Sequence, residues 1–91
     1  LAAKKADCVI TDTWVSMGDK KTKSIDEFRP FQVDEKIMSM TSENALFMHC
    51  LPAHHGYEAT AQVLKSKKSV IFDQAENRLH AQKAIINYCK I

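Results

Sequence analysis

Three stretches of this 91-residue chain gather side chains able to do chemistry. The first, Thr11-Asp12-Thr13-Trp14-Val15-Ser16-Met17-Gly18, offers a carboxylate, then a hydroxyl and backbone amides beside a glycine. The second, His49-Cys50-Leu51-Pro52-Ala53-His54-His55-Gly56, offers a thiol and three imidazoles. The third runs from Asp73 and ends in the guanidinium of Arg78. Such a set suits a zwitterionic substrate: Asp12 can meet an ammonium, the Ser16–Gly18 turn a carboxylate, and Arg78 an anion or a polarised carbonyl. Each residue also has a plainer reading. Asp at a strand end is about as often a turn or cap residue. Trp14 and Met17 could be packing, Cys50 an inert buried thiol, and Arg78 a surface partner of Glu76 or Asp73.

A metal is the sharpest rival reading of the second stretch, since His49, Cys50, His54 and His55 are all capable ligands. Their spacing is poor for it. Adjacent strand residues point to opposite faces, and no second Cys/His pair completes a tetrahedral set. A nucleotide site has neither a GxGxxG nor a GxxxxGK[ST] segment to support it.

Those stretches must be held by something. Cys8-Val9-Ile10-Thr11-Asp12-Thr13 is short, β-branched and nearly continuous in apolar character at its start, as expected for a strand buried on both faces. A long polar connection runs from Trp14 to Pro30, and long loops in compact domains are disproportionately functional. Val33, Ile37 and Met40 then recur at helical spacing, so a helix is expected over Phe31 to Met40, with Pro30 at its start. Ala45 to Cys50 is a second strand, which Pro52 must end because proline cannot donate to a sheet. Thr60 to Lys65 reads as a short helix and Ser69 to Phe72 as a third strand. From Asn77 to Cys89, Ala81, Ala84, Ile85 and Tyr88 form the stripe of an amphipathic helix. Strand alternating with helix predicts an α/β chain: a partial parallel sheet with flanking helices. Ligands gather at the carboxyl ends of such strands, which places all three chemical stretches on one edge of the sheet.

Composition bounds what that edge serves. With 45% apolar and 26% charged residues the chain is an ordinary globular one, and its length allows a single domain. Two glycines and two prolines are too few for an all-β chain of many turns. A formal charge of +2 gives no electrostatic case for nucleic acid. The lysine runs at Lys20–Lys23 and Lys65–Lys68 read as solvated loops or helix ends. No apolar run approaches the ~18–20 residues of a membrane span. Cys8, Cys50 and Cys89 have no CxxC spacing and cannot all pair, which suits free thiols in a reducing, cytoplasmic compartment. The chain starts without Met and without a signal-peptide pattern, so it is expected to begin inside an element of something larger.

As a set, the three stretches resemble the carboxyl-terminal portion of the ornithine carbamoyltransferase family. The likeness runs from about Ala6 to the end. It is carried by Thr11–Gly18, by His49-Cys50-Leu51-Pro52-Ala53-His54, and by Phe72-Asp73-Gln74-Ala75-Glu76-Asn77-Arg78-Leu79-His80-Ala81-Gln82-Lys83-Ala84. The resemblance implies an incomplete Rossmann-like ornithine-binding domain. It further implies transfer of the carbamoyl group of carbamoyl phosphate to the side-chain amine of L-ornithine, giving L-citrulline and phosphate. That is a step of arginine metabolism which needs no metal or organic cofactor. By the same resemblance Asp12 meets the α-amino group of ornithine, and Ser16 and Met17 belong to the loop that closes over it. Cys50 is the catalytic thiol beside the attacking amine. Cys50, Leu51 and Arg78 meet carbamoyl phosphate, and the Leu51-Pro52 bond is cis. The full enzyme is implied to be a homotrimer or higher assembly.

Two departures from that pattern matter. His55 stands where the bacterial motif usually carries Arg. The Ser-x-Arg-Thr and His-Pro-x-Gln segments of the phosphate-binding side occur nowhere in these residues. Residues 1–91 are therefore expected to be the carboxyl-terminal part of the ornithine-binding domain, without the carbamoyl-phosphate-binding domain and inactive alone. Two other readings stay open: a carbamoyltransferase for another amine such as putrescine, and an α/β binding module without catalysis. The Ser16-Met17-Gly18 turn favours ornithine over putrescine, because a diamine has no α-carboxylate for it to hold.

Overall fold

The computed structural model describes residues 2–15 and 25–90. Two parallel strands, β1 (Cys8–Thr11) and β2 (Leu46–His49), form the sheet, with Cys8 opposite Leu46 and Thr11 opposite His49. Helix α1 (Glu35–Ser39) lies in the crossover between them, α2 (Ala61–Leu64) follows β2, and α3 (Ile71–Cys89) ends the chain. On the other side of β2, the Phe47 N–H donates to the Lys68 carbonyl and the Val70 N–H to the Phe47 carbonyl, making a parallel bridge at Ser69. The expected α/β arrangement with parallel pairing is present.

The third expected strand is not. Ser69 to Phe72 contributes only that one bridge, and Ile71 and Phe72 already belong to α3. A short β-branched and aromatic run suits a strand and a buried helix turn equally well. Packing decides it here: Ile71 is buried, Gln74 is half-buried one turn on, and Phe72 between them is 77% exposed. Asp73 in the first turn complements the helix dipole. The last helix therefore begins six residues before the expected Asn77.

The helix expected from Phe31 shrinks to Glu35–Ser39 for a hydrogen-bonding reason. The Val33 N–H donates to the Glu58 carbonyl and the Val33 carbonyl accepts from the Thr60 N–H, so both of its backbone groups are spent on a bridge to the Ala59 segment. Asp34 then caps α1, its Oδ1 accepting from the Ile37 N–H at 2.9 Å. Pro30 lies in a 3-10 turn, Arg29–Phe31, preceded by another at Ile25–Glu27. Thr60 caps α2 through Val63, as its position before an apolar run predicts.

Phe47 and Val63, with Val33, Met38, Ala59, Leu64 and Ile71, make the core, and Val9, Ile37, Leu51 and Ala53 pack against it. The strand β1 is not buried on both faces as its composition suggests. Cys8 is exposed and Ile10 is 66% exposed, because the sheet has two strands and nothing described covers the outer one. Beyond its first turn α3 is equally uncovered, with Leu79, Ile85, Ile86 and Tyr88 all exposed. The apolar stripe read from the sequence exists but meets no partner among the described residues. No helix there is long and apolar enough to cross a membrane.

Candidate functional site

The two strands end side by side, and the chain leaves each toward the same edge. From β1 it continues into Asp12, Thr13 and Trp14. From β2 it enters a tight turn in which the Leu51–Pro52 peptide bond is cis and Leu51 has φ 54. That left-handed conformation costs a non-glycine residue roughly 1 kcal/mol or more, so the surroundings must hold it. They do: the Leu51 N–H donates to His49 Nδ1 at 2.8 Å, and the Leu51 side chain packs on the core. The Thr13 hydroxyl ties the neighbouring segment down by donating to the Pro52 carbonyl at 3.0 Å.

This geometry brings Asp12 and Cys50 together. The Cys50 thiol donates to Asp12 Oδ1 at 2.9 Å, and the same oxygen accepts from the Thr13 N–H at 2.7 Å. Those contacts, the thiol first, hold the Asp12 carboxyl below its ordinary range, so it is an anion at neutral pH. The plainer reading of Cys50 as a buried thiol does not hold, since Cys50 is exposed, as are Cys8 and Cys89. Helix α3 supplies the remaining wall. His49, Cys50, Gln74, Ala75 and Arg78 line an open cleft of about 230 Å3. Gln74 joins helix to turn, its Oε1 accepting from the His49 N–H at 3.0 Å. A carboxylate, a thiol and a guanidinium therefore converge from three separate stretches. Ser16, Met17 and Gly18 lie outside the described residues. His55 is exposed, and its backbone pairs with Ala59.

Beneath the site is a group the sequence does not flag. Glu58 is fully buried, and its carboxylate reaches both site segments. Oε1 accepts from the Trp14 N–H at 3.1 Å and Oε2 from the His54 N–H at 3.0 Å, while His54 Nδ1 stands 3.3 Å from Oε1. Burial pushes this carboxyl up, but the hydrogen bonds outweigh it and hold the group below its ordinary value of 4.5. Above it the buried Trp14 ring stacks with Phe28 at 5.5 Å and Tyr57 at 6.4 Å. Trp14 is packing, as one sequence reading has it.

His49 is buried next to Glu58. With Nδ1 accepting from Leu51, a neutral ring carries its proton on Nε2, which is unpartnered and 3.9 Å from Glu58 Oε2. Burial holds the imidazole below its ordinary 6.5 despite the attraction of Glu58 and Asp12. Both shifts have the same consequence for stability. A base with a depressed folded pKa and an acid with a depressed folded pKa each bind more protons when unfolded, so stability falls as pH falls. The His49 contribution is expected to be lost below about pH 6.5 and the Glu58 contribution below about 4.5. Thermal melts should show Tm dropping in two stages on acidification, with roughly 4–8 °C for each 1 kcal/mol in a domain of this size. His49→Gln should remove the first stage; a flat Tm in the parent between pH 7 and about 5 would contradict the assignment.

Residues 1–89 match the family model described as aspartate/ornithine carbamoyltransferase, Asp/Orn binding domain. The chain is 56% identical over 89 residues to an ornithine carbamoyltransferase of Bradyrhizobium diazoefficiens, covering 97% of this chain and 29% of that one. An anabolic ornithine carbamoyltransferase from Campylobacter jejuni superposes with TM-score 0.86 at 48% identity, over 96% of this chain and 29% of that chain. The enzyme from Pyrococcus furiosus superposes with TM-score 0.83 at 49% identity, over 93% and 28%. The chain thus spans less than a third of the length of these relatives.

Proposed function

Because the chain belongs to the aspartate/ornithine carbamoyltransferase family, we propose that it supplies the ornithine side of an enzyme converting L-ornithine and carbamoyl phosphate to L-citrulline and phosphate. The observation that carries this reading is the 2.9 Å contact between Asp12 and Cys50, 38 residues apart in the chain, beside a cleft walled by Arg78. In it Asp12 receives the α-ammonium of ornithine, and Ser16 and Met17 hold the α-carboxylate. The names of the relatives and the sequence Ser16-Met17-Gly18 both support ornithine over a diamine.

The chemistry follows from what an amine can do. An ammonium has no lone pair, so the side-chain amine must first lose a proton. The neutral nitrogen then attacks the carbamoyl carbon, forming the new C–N bond as the carbon–oxygen bond to phosphate breaks, and the proton that nitrogen sheds leaves with the phosphate. Cys50 lies at that reacting end, where its thiol orients the amine. Arg78 opposes the charge that develops on the carbamoyl oxygen and the departing phosphate, and the Leu51 carbonyl accepts a hydrogen bond from the carbamoyl group. Residues 1–91 hold the carboxyl-terminal part of the ornithine-binding domain in this reading. The phosphate side comes from sequence outside them, since neither Ser-x-Arg-Thr nor His-Pro-x-Gln is present. Three free thiols fit a cytoplasmic setting.

The test is citrulline formation by this chain alone and by a completed enzyme in which the chain is joined to the amino-terminal part of a relative. Activity is expected only in the completed form. A folded completed enzyme that binds carbamoyl phosphate but makes no citrulline would refute the proposal. Cys50→Ser in the completed enzyme should lower kcat and raise KM for ornithine, each about tenfold. Steady-state rates equal to the parent's would remove Cys50 from the site.

A further inference from the structure

We propose that Glu58 is a positioning residue of this site, its carboxylate fixing the segment after β1 against the turn after β2 and so setting the Asp12–Cys50 contact. The inference concerns how the site is held, and its kinetic arm rests on the function proposed above. Glu58 touches neither Asp12 nor Cys50. It acts through backbone: Oε1 takes the Trp14 N–H, two residues beyond Asp12, and Oε2 takes the His54 N–H, four beyond Cys50. One planar group thus bridges the two segments that leave the sheet. Nearer the surface the same segments are joined by two exposed ties, from the Thr13 hydroxyl to the Pro52 carbonyl and from the Cys50 thiol to Asp12.

The chemistry of the bridge requires a carboxylate. Both donors are N–H groups fixed in the backbone, and each needs an oxygen. An amide of the same shape offers one oxygen and one NH2, so Gln at this position opposes a donor to a donor whichever way it is turned. Burial sharpens the demand, because Glu58 is fully buried and the Trp14 N–H bonds to it in a buried contact. The hydrogen bonds also keep the group ionised, so the bridge is intact at neutral pH. A residue serving the core alone would have no reason to carry charge here, since Ala59, next in the chain, and Val33, whose N–H bonds the Glu58 carbonyl, both belong to the apolar core.

Thiol labelling of the chain itself gives a readout independent of substrate. Cys8 and Cys89 are exposed and remote in sequence, so they serve as internal references for Cys50 when iodoacetamide labelling is resolved by mass spectrometry. In Glu58→Gln the Cys50 rate relative to those two is expected to rise at least threefold, as the thiol loses its hydrogen bond to Asp12. An unchanged ratio in a folded variant would overturn the inference. Should Glu58→Gln fail to fold, Glu58→Asp decides: it keeps two oxygens but falls one methylene short, and an intermediate rise is expected where parental labelling would overturn it. In the completed enzyme Glu58→Gln should raise KM for ornithine at least tenfold and leave KM for carbamoyl phosphate within twofold. Equal losses for both substrates would mark Glu58 as a general structural residue. A parent that makes no citrulline would instead refute the function and leave the labelling result standing.

Discussion

Asp12→Asn is expected to lower kcat/KM for ornithine about 100-fold in the completed enzyme, while KM for carbamoyl phosphate stays within twofold. The substitution keeps the shape of the side chain and an oxygen for the Cys50 thiol and the Thr13 N–H, which both converge on Oδ1. What it removes is the charge. In the parent those donors hold the carboxyl below its ordinary range, so the negative charge proposed to meet the ammonium is constant near neutrality. In the proposed role that charge meets ornithine and not the carbamoyl donor, hence the expected split between the two substrates. Steady-state kinetics with each substrate varied in turn is the check. A kcat/KM for ornithine within threefold of the parent, with normal folding, would place the ammonium elsewhere.

The largest effect on stability is expected from Phe47→Ala, about 3–5 kcal/mol. Phe47 has no solvent exposure, sits at the centre of β2, and is bonded through its backbone to the segment on either side of Ser69. Removing its ring leaves a cavity in the core that it shares with Val33, Met38, Ala59, Val63, Leu64 and Ile71. A single small domain has only about 5–15 kcal/mol in total, so the variant should lose its cooperative melt near physiological temperature. Phe72→Ala is the matched control: the same chemistry on a side chain 77% exposed should change stability by no more than about 0.5 kcal/mol. Urea titrations of the two variants should therefore separate clearly, and similar midpoints would mean that the core is not centred on β2.

Both phenylalanines look alike in the sequence, and that is where its legibility ends. Patterns set by short-range physics are readable: the apolar runs at Cys8 and Ala45, the short helix after Thr60, the halt imposed by Pro52. The meeting of Asp12 and Cys50 is readable too, because parallel strands send their chain exits to one edge, whereas Arg78 reaches the cleft from within α3 and not from the expected third strand. Features decided by long-range pairing are not. Val33 is diverted from a helix by Ala59, and Ile71 is drawn into one by the core beneath it. Glu58 is the clearest instance. A single acid after His54-His55-Gly56-Tyr57 has no spacing that marks it, and its burial exists only once two loops close over it. Its only local hint is the four-residue separation from His54, shared with many surface pairs.

Helix α3 carries a consequence in the time domain. It is 19 residues, about 28 Å, yet only its first turns rest on β2, through Ile71 and the Gln74 contact to His49. Amides near Gln74 can exchange their hydrogens only when the body of the domain opens, whereas those beyond Leu79 have little beyond the helix's own weak cooperativity to protect them. Exchange rates should climb steeply along one continuous helix, and Arg78 stands on that slope, one turn past the last anchored side chain. The guanidinium that walls the cleft therefore inherits its fraying rate from the helix above it, and any surface that comes to rest on Leu79, Ile86 or Tyr88 would slow that motion without touching the cleft.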